Sequence, residues 1–123
     1  MTKIRVYCAS PAHRRKMWRN LPTSIKVVST WHDNENFEAD EQSPEACARY
    51  WEMDCKQIRQ ADVLLAYAED GDRPNGTLIE IGYAIANEMP VYLVGTFEWG
   101  TWRHLPNVKE YRLMPDAIKA MIE

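Results

Sequence analysis

Short apolar runs alternate along this chain with stretches of helical period. Ile4-Arg5-Val6-Tyr7-Cys8-Ala9 has the pattern of a buried strand. Pro11 to Asn20 reads as a helix, with Pro11 near its start and Leu21-Pro22 ending it. Ser24 to Ser29 reads as a second strand, and Trp31 to Gln42, rich in acids and Asn without a period, as a loop. Ser43-Pro44-Glu45 opens a second helix with a capping hydroxyl, Pro at the first helical position and an acid in the first turn. Its stripe of Cys47, Tyr50, Trp51, Asp54, Cys55 and Ile58 predicts the face turned to the core. Asp62 to Tyr67 is a third strand, apolar enough to be covered on both faces. A helix over Gly76 to Glu88 follows, then a strand over Pro90 to Gly95 and a loop over Thr96 to Pro106. A short strand over Val108 to Leu113 and a helix over Pro115 to Ile122 complete the pattern.

Strands separated by helical segments imply an α/β fold. The expectation is a three-layer sandwich around a mostly parallel sheet of about five strands, flavodoxin-like or Rossmann-like, in one domain spanning residues 1–123. In such a sheet the carboxyl ends of the strands share one edge. Tyr7 to Ser10, the loop after Ser29, and Glu69 to Gly76 are expected to converge there.

Composition narrows the class. A hydrophobic content of 46% and a charged content of 27% suit a folded soluble chain, and a net charge of -3 argues against a broad electrostatic grip on nucleic acid. His13-Arg14-Arg15-Lys16 is a local exception, either a phosphate contact or a solvated basic helix face. Cys8, Cys47 and Cys55 have no metal-ligand spacing with one another or with His13, His32 and His104. They read as reduced thiols serving as small core residues in a cytoplasmic protein. No run approaches a membrane span, and Lys3-Ile4-Arg5-Val6-Tyr7 is no signal segment. Gly71 and Gly76 make neither a dinucleotide fingerprint nor a P-loop, and no Gly-x-Ser-x-Gly elbow is present.

Candidate chemistry gathers around Asp70-Gly71-Asp72-Arg73-Pro74-Asn75-Gly76-Thr77-Leu78-Ile79-Glu80. Glu80 falls within about the first turn of its helix, where the helix dipole favours an ionised carboxylate. It is either a solvated acid complementing that dipole or a carboxylate facing a ligand. Its helical neighbours Gly76, Thr77, Tyr83 and Ala84 are mostly small, as though that side were kept open, and Gly82 suggests close packing of the helix on the sheet. Asp70 and Asp72 are turn formers, yet they lie in a loop at the carboxyl end of a central strand, where functional residues collect. Asp54 interrupts an apolar stripe and needs a partner, whether Lys56, Arg59 or a polar ligand. Tyr7, if buried, needs one for its hydroxyl, which a nearby carboxylate can supply.

Together these residues resemble the nucleoside 2-deoxyribosyltransferase family, a relative of the nucleoside 5'-monophosphate N-glycosidases. The likeness begins at Ile4 to Pro11, continues through Asp54 to Ala66, and is tightest at Asn75-Gly76-Thr77-Leu78-Ile79-Glu80-Ile81-Gly82-Tyr83-Ala84 and Met89-Pro90-Val91. It implies that Glu80 is a nucleophile that attacks C1' of the sugar and forms a covalent deoxyribosyl-enzyme. Tyr7 would orient that carboxylate, and Asp54 would contact the departing base. Asp72 would be a second base-site acid, in a loop one residue longer than in typical members. Asn107 would match a residue that a neighbouring subunit supplies near the 5' end of the sugar, implying a homo-oligomer. Ser10, Asp70, Gly76 and Thr77 complete the expected substrate site.

The resemblance implies a nucleoside or nucleotide substrate and neither metal nor redox cofactor. The basic residues after Ser10 raise the 5'-monophosphate branch. The chemistry fits a retaining glycosidase pattern: an ionised nucleophile on one face and a protonated acid near the base. Like-charge crowding of Asp54 and Asp72 near Glu80 is expected to keep that acid protonated. Two other readings remain open: an NAD-cleaving glycohydrolase resembling TIR-type domains, and a nucleotide-binding sensor without turnover.

Overall fold

The computed structural model describes residues 2–34, 43–98 and 100–123. Five strands, β1 (Ile4–Ala9), β2 (Ile25–Val27), β3 (Val63–Ala68), β4 (Val91–Gly95) and β5 (Val108–Tyr111), form one sheet in the order β2-β1-β3-β4-β5. Every neighbouring pair is parallel. Three α-helices, α1 (Pro44–Gln60), α2 (Asn75–Ala86) and α3 (Met114–Ile122), and a 3-10 helix over Ala12–Asn20 cover the sheet. This is the flavodoxin-like strand order, whose switch point lies between β1 and β3.

Strand alternation sorts the core into two layers. Tyr7, Ala9, Leu64, Ala66 and Leu93 meet Ile58 of α1 and Ile81 and Ala84 of α2. Val6, Cys8, Val63, Leu65 and Val94 meet Trp18 of the 3-10 helix and Ala117 and Met121 of α3. The three-layer arrangement therefore follows from the apolar runs, and the carboxyl ends of the strands share one edge as expected.

Several local expectations change. Residues 12–20 wind as a 3-10 helix, pinned where Arg14 reaches Asp72 and where the Trp18 indole donates to Ser10 Oγ. β2 is shorter than Ser24 to Ser29, because Ser29 Oγ accepts the Cys8 N–H that a longer strand would have taken into the ladder. On α1 the buried residues are Ala46, Gln57 and Ile58, whereas Cys47, Tyr50, Asp54 and Cys55 are half-buried and Trp51 is exposed. Of the three thiols only Cys8 is a core residue, and burial pushes it up to about 12. Gly82 faces open space, with nothing near the position of a Cβ, so it does not pack on the sheet. The loop expected over Trp31 to Gln42 begins with a 3-10 turn at Trp31–Asp33, and its stretch 35–42 lies outside the described residues. Among the described residues no helix is long and apolar enough to cross a membrane.

Candidate active site

Tyr7 on β1, Asp54 on α1 and Glu80 on α2 are brought together beside the β1/β3 switch point. Tyr7 is fully buried, and its hydroxyl donates to Glu80 Oε2. Asp54 is near enough to act on the same phenol and on Glu80, so the hydroxyl lies close to two carboxyl groups. Glu80 is 7% exposed. It sits in the second turn of α2, beyond the free N–H groups at the helix start, so burial rather than the helix end governs it. Burial, reinforced by Asp54 and opposed by the Tyr7 hydrogen bond, raises Glu80 to about 8. Burial likewise raises Asp54 to about 6. An ionised Glu80 held by the helix dipole is therefore not the form that these surroundings favour. The two carboxyl groups are coupled, and between about pH 6 and about 8 they hold one proton between them. Desolvation and the two carboxyl groups hold the Tyr7 phenol far above its ordinary range, so it remains a donor.

Asp54 and Glu80 face a hollow of about 510 Å3, within the range of small-molecule sites, with Tyr7 buried behind them. Asp54, Glu80, Ser10, Gly76 and Thr77 line it with the aromatic side chains of Trp31, Tyr50 and Trp51. Thr77 is buried, and its Oγ1 has no hydrogen-bond partner among the described residues. A buried hydroxyl left unpaired is costly unless a ligand completes it. Ser10 is more committed, donating from Oγ to the Pro11 carbonyl and accepting from Trp18 Nε1. Trp31 is held over the hollow by its indole N–H, which donates to the Cys8 carbonyl at 2.7 Å. Its loop is clasped twice more. Gln57 accepts from the Thr30 N–H and donates to Thr30 Oγ1, and Ser29 Oγ lies 2.9 Å from Nε2 of a buried His32. Burial holds His32 below its ordinary range and so neutral.

Helical spacing marked Cys47, Tyr50, Trp51 and Asp54 as one face, but as core. Periodicity locates a face and is silent on whether protein or ligand covers it. Trp31 and Gln57 carried no sequence signal for the site.

Other expected site residues lie elsewhere. Asp72 is buried but turned to Arg14, whose Nε and a second guanidinium nitrogen donate to its two oxygens at 2.8 and 3.1 Å. Asp72 also accepts the Glu69 N–H. Arg14 holds it below the usual carboxylate range, so crowding against Glu80 does not protonate it, and it does not line the hollow. Asp70 is exposed in the turn before Gly71 and also lies outside the lining. Asn107 sits at the opposite, amino edge of the sheet, where its side chain donates to the Met89 carbonyl. Within the basic cluster, His13 reaches the rim of the hollow with its Nε2 3.4 Å from Asp72 Oδ1, and Arg14 is engaged by Asp72 and Glu69. Among the described residues no cluster of three or more His, Cys, Asp or Glu is disposed to hold a metal ion.

The family model for nucleoside 2-deoxyribosyltransferases matches residues 6–103. No curated protein matches in sequence. Among solved structures, a 2-deoxyribosyltransferase from Bacillus psychrosaccharolyticus superposes with a TM-score of 0.74 at 21% identity, covering 96% of this chain and 95% of that one. A CMP N-glycosidase from Clostridium botulinum superposes at 0.57 and 21% identity, covering 95% and 97%. A conserved protein from Enterococcus faecalis V583 reaches 0.50 at 17% identity, covering 96% and 86%. At these identities the likeness is one of fold.

Proposed function

Because the chain belongs to the nucleoside 2-deoxyribosyltransferase family, we propose that it cleaves or exchanges the N-glycosidic bond of a 2'-deoxynucleoside or its 5'-monophosphate through Glu80. One observation carries the reading. A buried carboxyl group, held by the Tyr7 hydroxyl and sharing its wall with Asp54, faces a hollow with aromatic walls and a Thr77 hydroxyl unpaired among the described residues.

In this reading a Glu80 oxygen attacks C1' while the bond to the base nitrogen breaks and its electron pair leaves with the base. Positive charge gathers on the sugar in the transition state, which favours the ionised form of Glu80. The shared proton then resides on Asp54 and passes to the base as it departs. A glycosyl ester on Glu80 remains. A second base, or water, attacks C1' while Asp54 takes its proton; the ester breaks, and the Glu80 carboxylate and the protonated Asp54 are restored. The aromatic side chains of Trp31, Tyr50 and Trp51 offer faces for a planar base. Neither step consumes an oxidant or reductant.

The experiment is incubation with a panel of deoxynucleosides and their monophosphates, with and without a second free base. Wild-type protein is expected to release or exchange base, and Glu80→Ala to do neither while remaining folded. Base turnover by Glu80→Ala contradicts the reading. NAD belongs in the same panel: nicotinamide release without action on deoxynucleosides would assign a different glycosidic substrate.

A further inference from the structure

A second hollow, also about 510 Å3, opens on the other face of the sheet at the same carboxyl edge. His13, Arg14 and Lys16 line it from the 3-10 helix, Tyr67 from β3, and Arg112 and Leu113 from the turn before α3. No carboxylate lines it, although the chain as a whole is acidic at -3. Arg14 is neutralised from outside the lining by Asp72 and Glu69, and its guanidinium lies 5.5 Å from the Tyr67 ring centroid. Lys16 and Arg112 are different. Both are exposed, they come from separate elements, and among the described residues neither forms an ion pair. Two unpaired cations lining one concavity raise its potential and repel each other, and a bound anion relieves both effects. α3 begins beside them without a side-chain cap at Leu113, so its first turn adds partial positive charge, although Pro115 supplies no N–H there. Asp116 in that turn offsets part of it.

We propose that this hollow is a second anion site that takes the phosphate group of a phosphorylated small molecule. It communicates with the Glu80 hollow at His13, which lines both. Such a phosphate belongs either to the far end of a substrate that reaches past His13 or to a separate phosphorylated effector. The site stands on its own charges and does not depend on the role given to Glu80.

The test is a titration of the full chain with inorganic pyrophosphate, followed through backbone amide resonances. Saturable shifts are expected at Lys16, Arg112 and Leu113, and they persist in Glu80→Gln. Arg112→Ser and Lys16→Ser should each weaken binding about tenfold, as befits loss of one charge-assisted contact. A deoxynucleoside 5'-monophosphate, added to Glu80→Gln to prevent turnover, then separates the sources. Competition with pyrophosphate assigns the site to the substrate's own phosphate, and absence of competition assigns it to a separate effector; each upholds the site. No saturable response at these amides, or an affinity unchanged in both variants, overturns it.

Discussion

Glu80 is an ionisable group in a place that disfavours its charge. Its ordinary value near 4.5 is raised to about 8, first by burial. Between those values the folded chain keeps a proton that the unfolded chain has released. The associated stability is therefore fully present below about pH 4.5 and is lost as pH rises through about 8. Glu80→Gln removes this dependence. Its melting temperature should equal that of the wild type near the acid end and exceed it at pH 8, as followed by thermal circular dichroism. Parallel curves would mean that Glu80 titrates normally. The neighbouring hydroxyl works in the opposite direction, since its hydrogen bond lowers Glu80. Tyr7→Phe should move the Glu80 ionisation to higher pH and shift the rising limb of kcat/KM with it. It should also reduce kcat about tenfold or more, the scale of one hydrogen bond to a charged group. An unshifted limb would place Tyr7 outside the ionisation.

The helices and strands test a different part of the account. Gly82 lies inside α2 on an open surface, with nothing within 4 Å of a built Cβ. Gly82→Ala should stabilise the fold by about 0.5–1 kcal/mol, measured by denaturant unfolding. Gly95 ends β4 at φ +92°, where a Cβ would come within 2.1 Å of the Ala68 carbonyl oxygen, so Gly95→Ala should destabilise clearly. The close packing that the sequence suggested for Gly82 belongs instead to Gly95, because a residue's contacts across the sheet are not written in its neighbours along the chain. What was legible followed from period. β1 over Ile4–Ala9 matches its apolar run, and the Ser43 cap with Pro44 marks the start of α1, where Ser43 accepts the Ala46 N–H. What failed followed from side chains that replace backbone bonds. Ser29 takes the Cys8 N–H and shortens β2, and Arg14 and Trp18 anchor a 3-10 helix where a regular helix was expected.

At the scale of the molecule, the alternation of strand and helix was enough to imply a parallel sheet whose loops meet at one edge, and Tyr7, Asp54 and Glu80 meet there. Asp72 could not be separated from them by sequence. Its partner Arg14 is 58 positions away, and only the fold shows that this charge is already answered. Asn107, at the amino edge, is remote from the hollow of its own chain, so any part it takes at a sugar requires a second copy. The fold thus sets two hollows against one sheet edge, one built around carboxyl groups and one around cations. The claim on which the functional reading turns is the covalent ester at Glu80. Mass spectrometry of the intact protein, quenched in acid during turnover of a deoxynucleoside, tests it most directly. The account predicts a deoxyribosyl adduct that maps to the peptide carrying Glu80 and is absent from Glu80→Gln. Turnover with no adduct in the wild type, or an adduct on another residue, would contradict it.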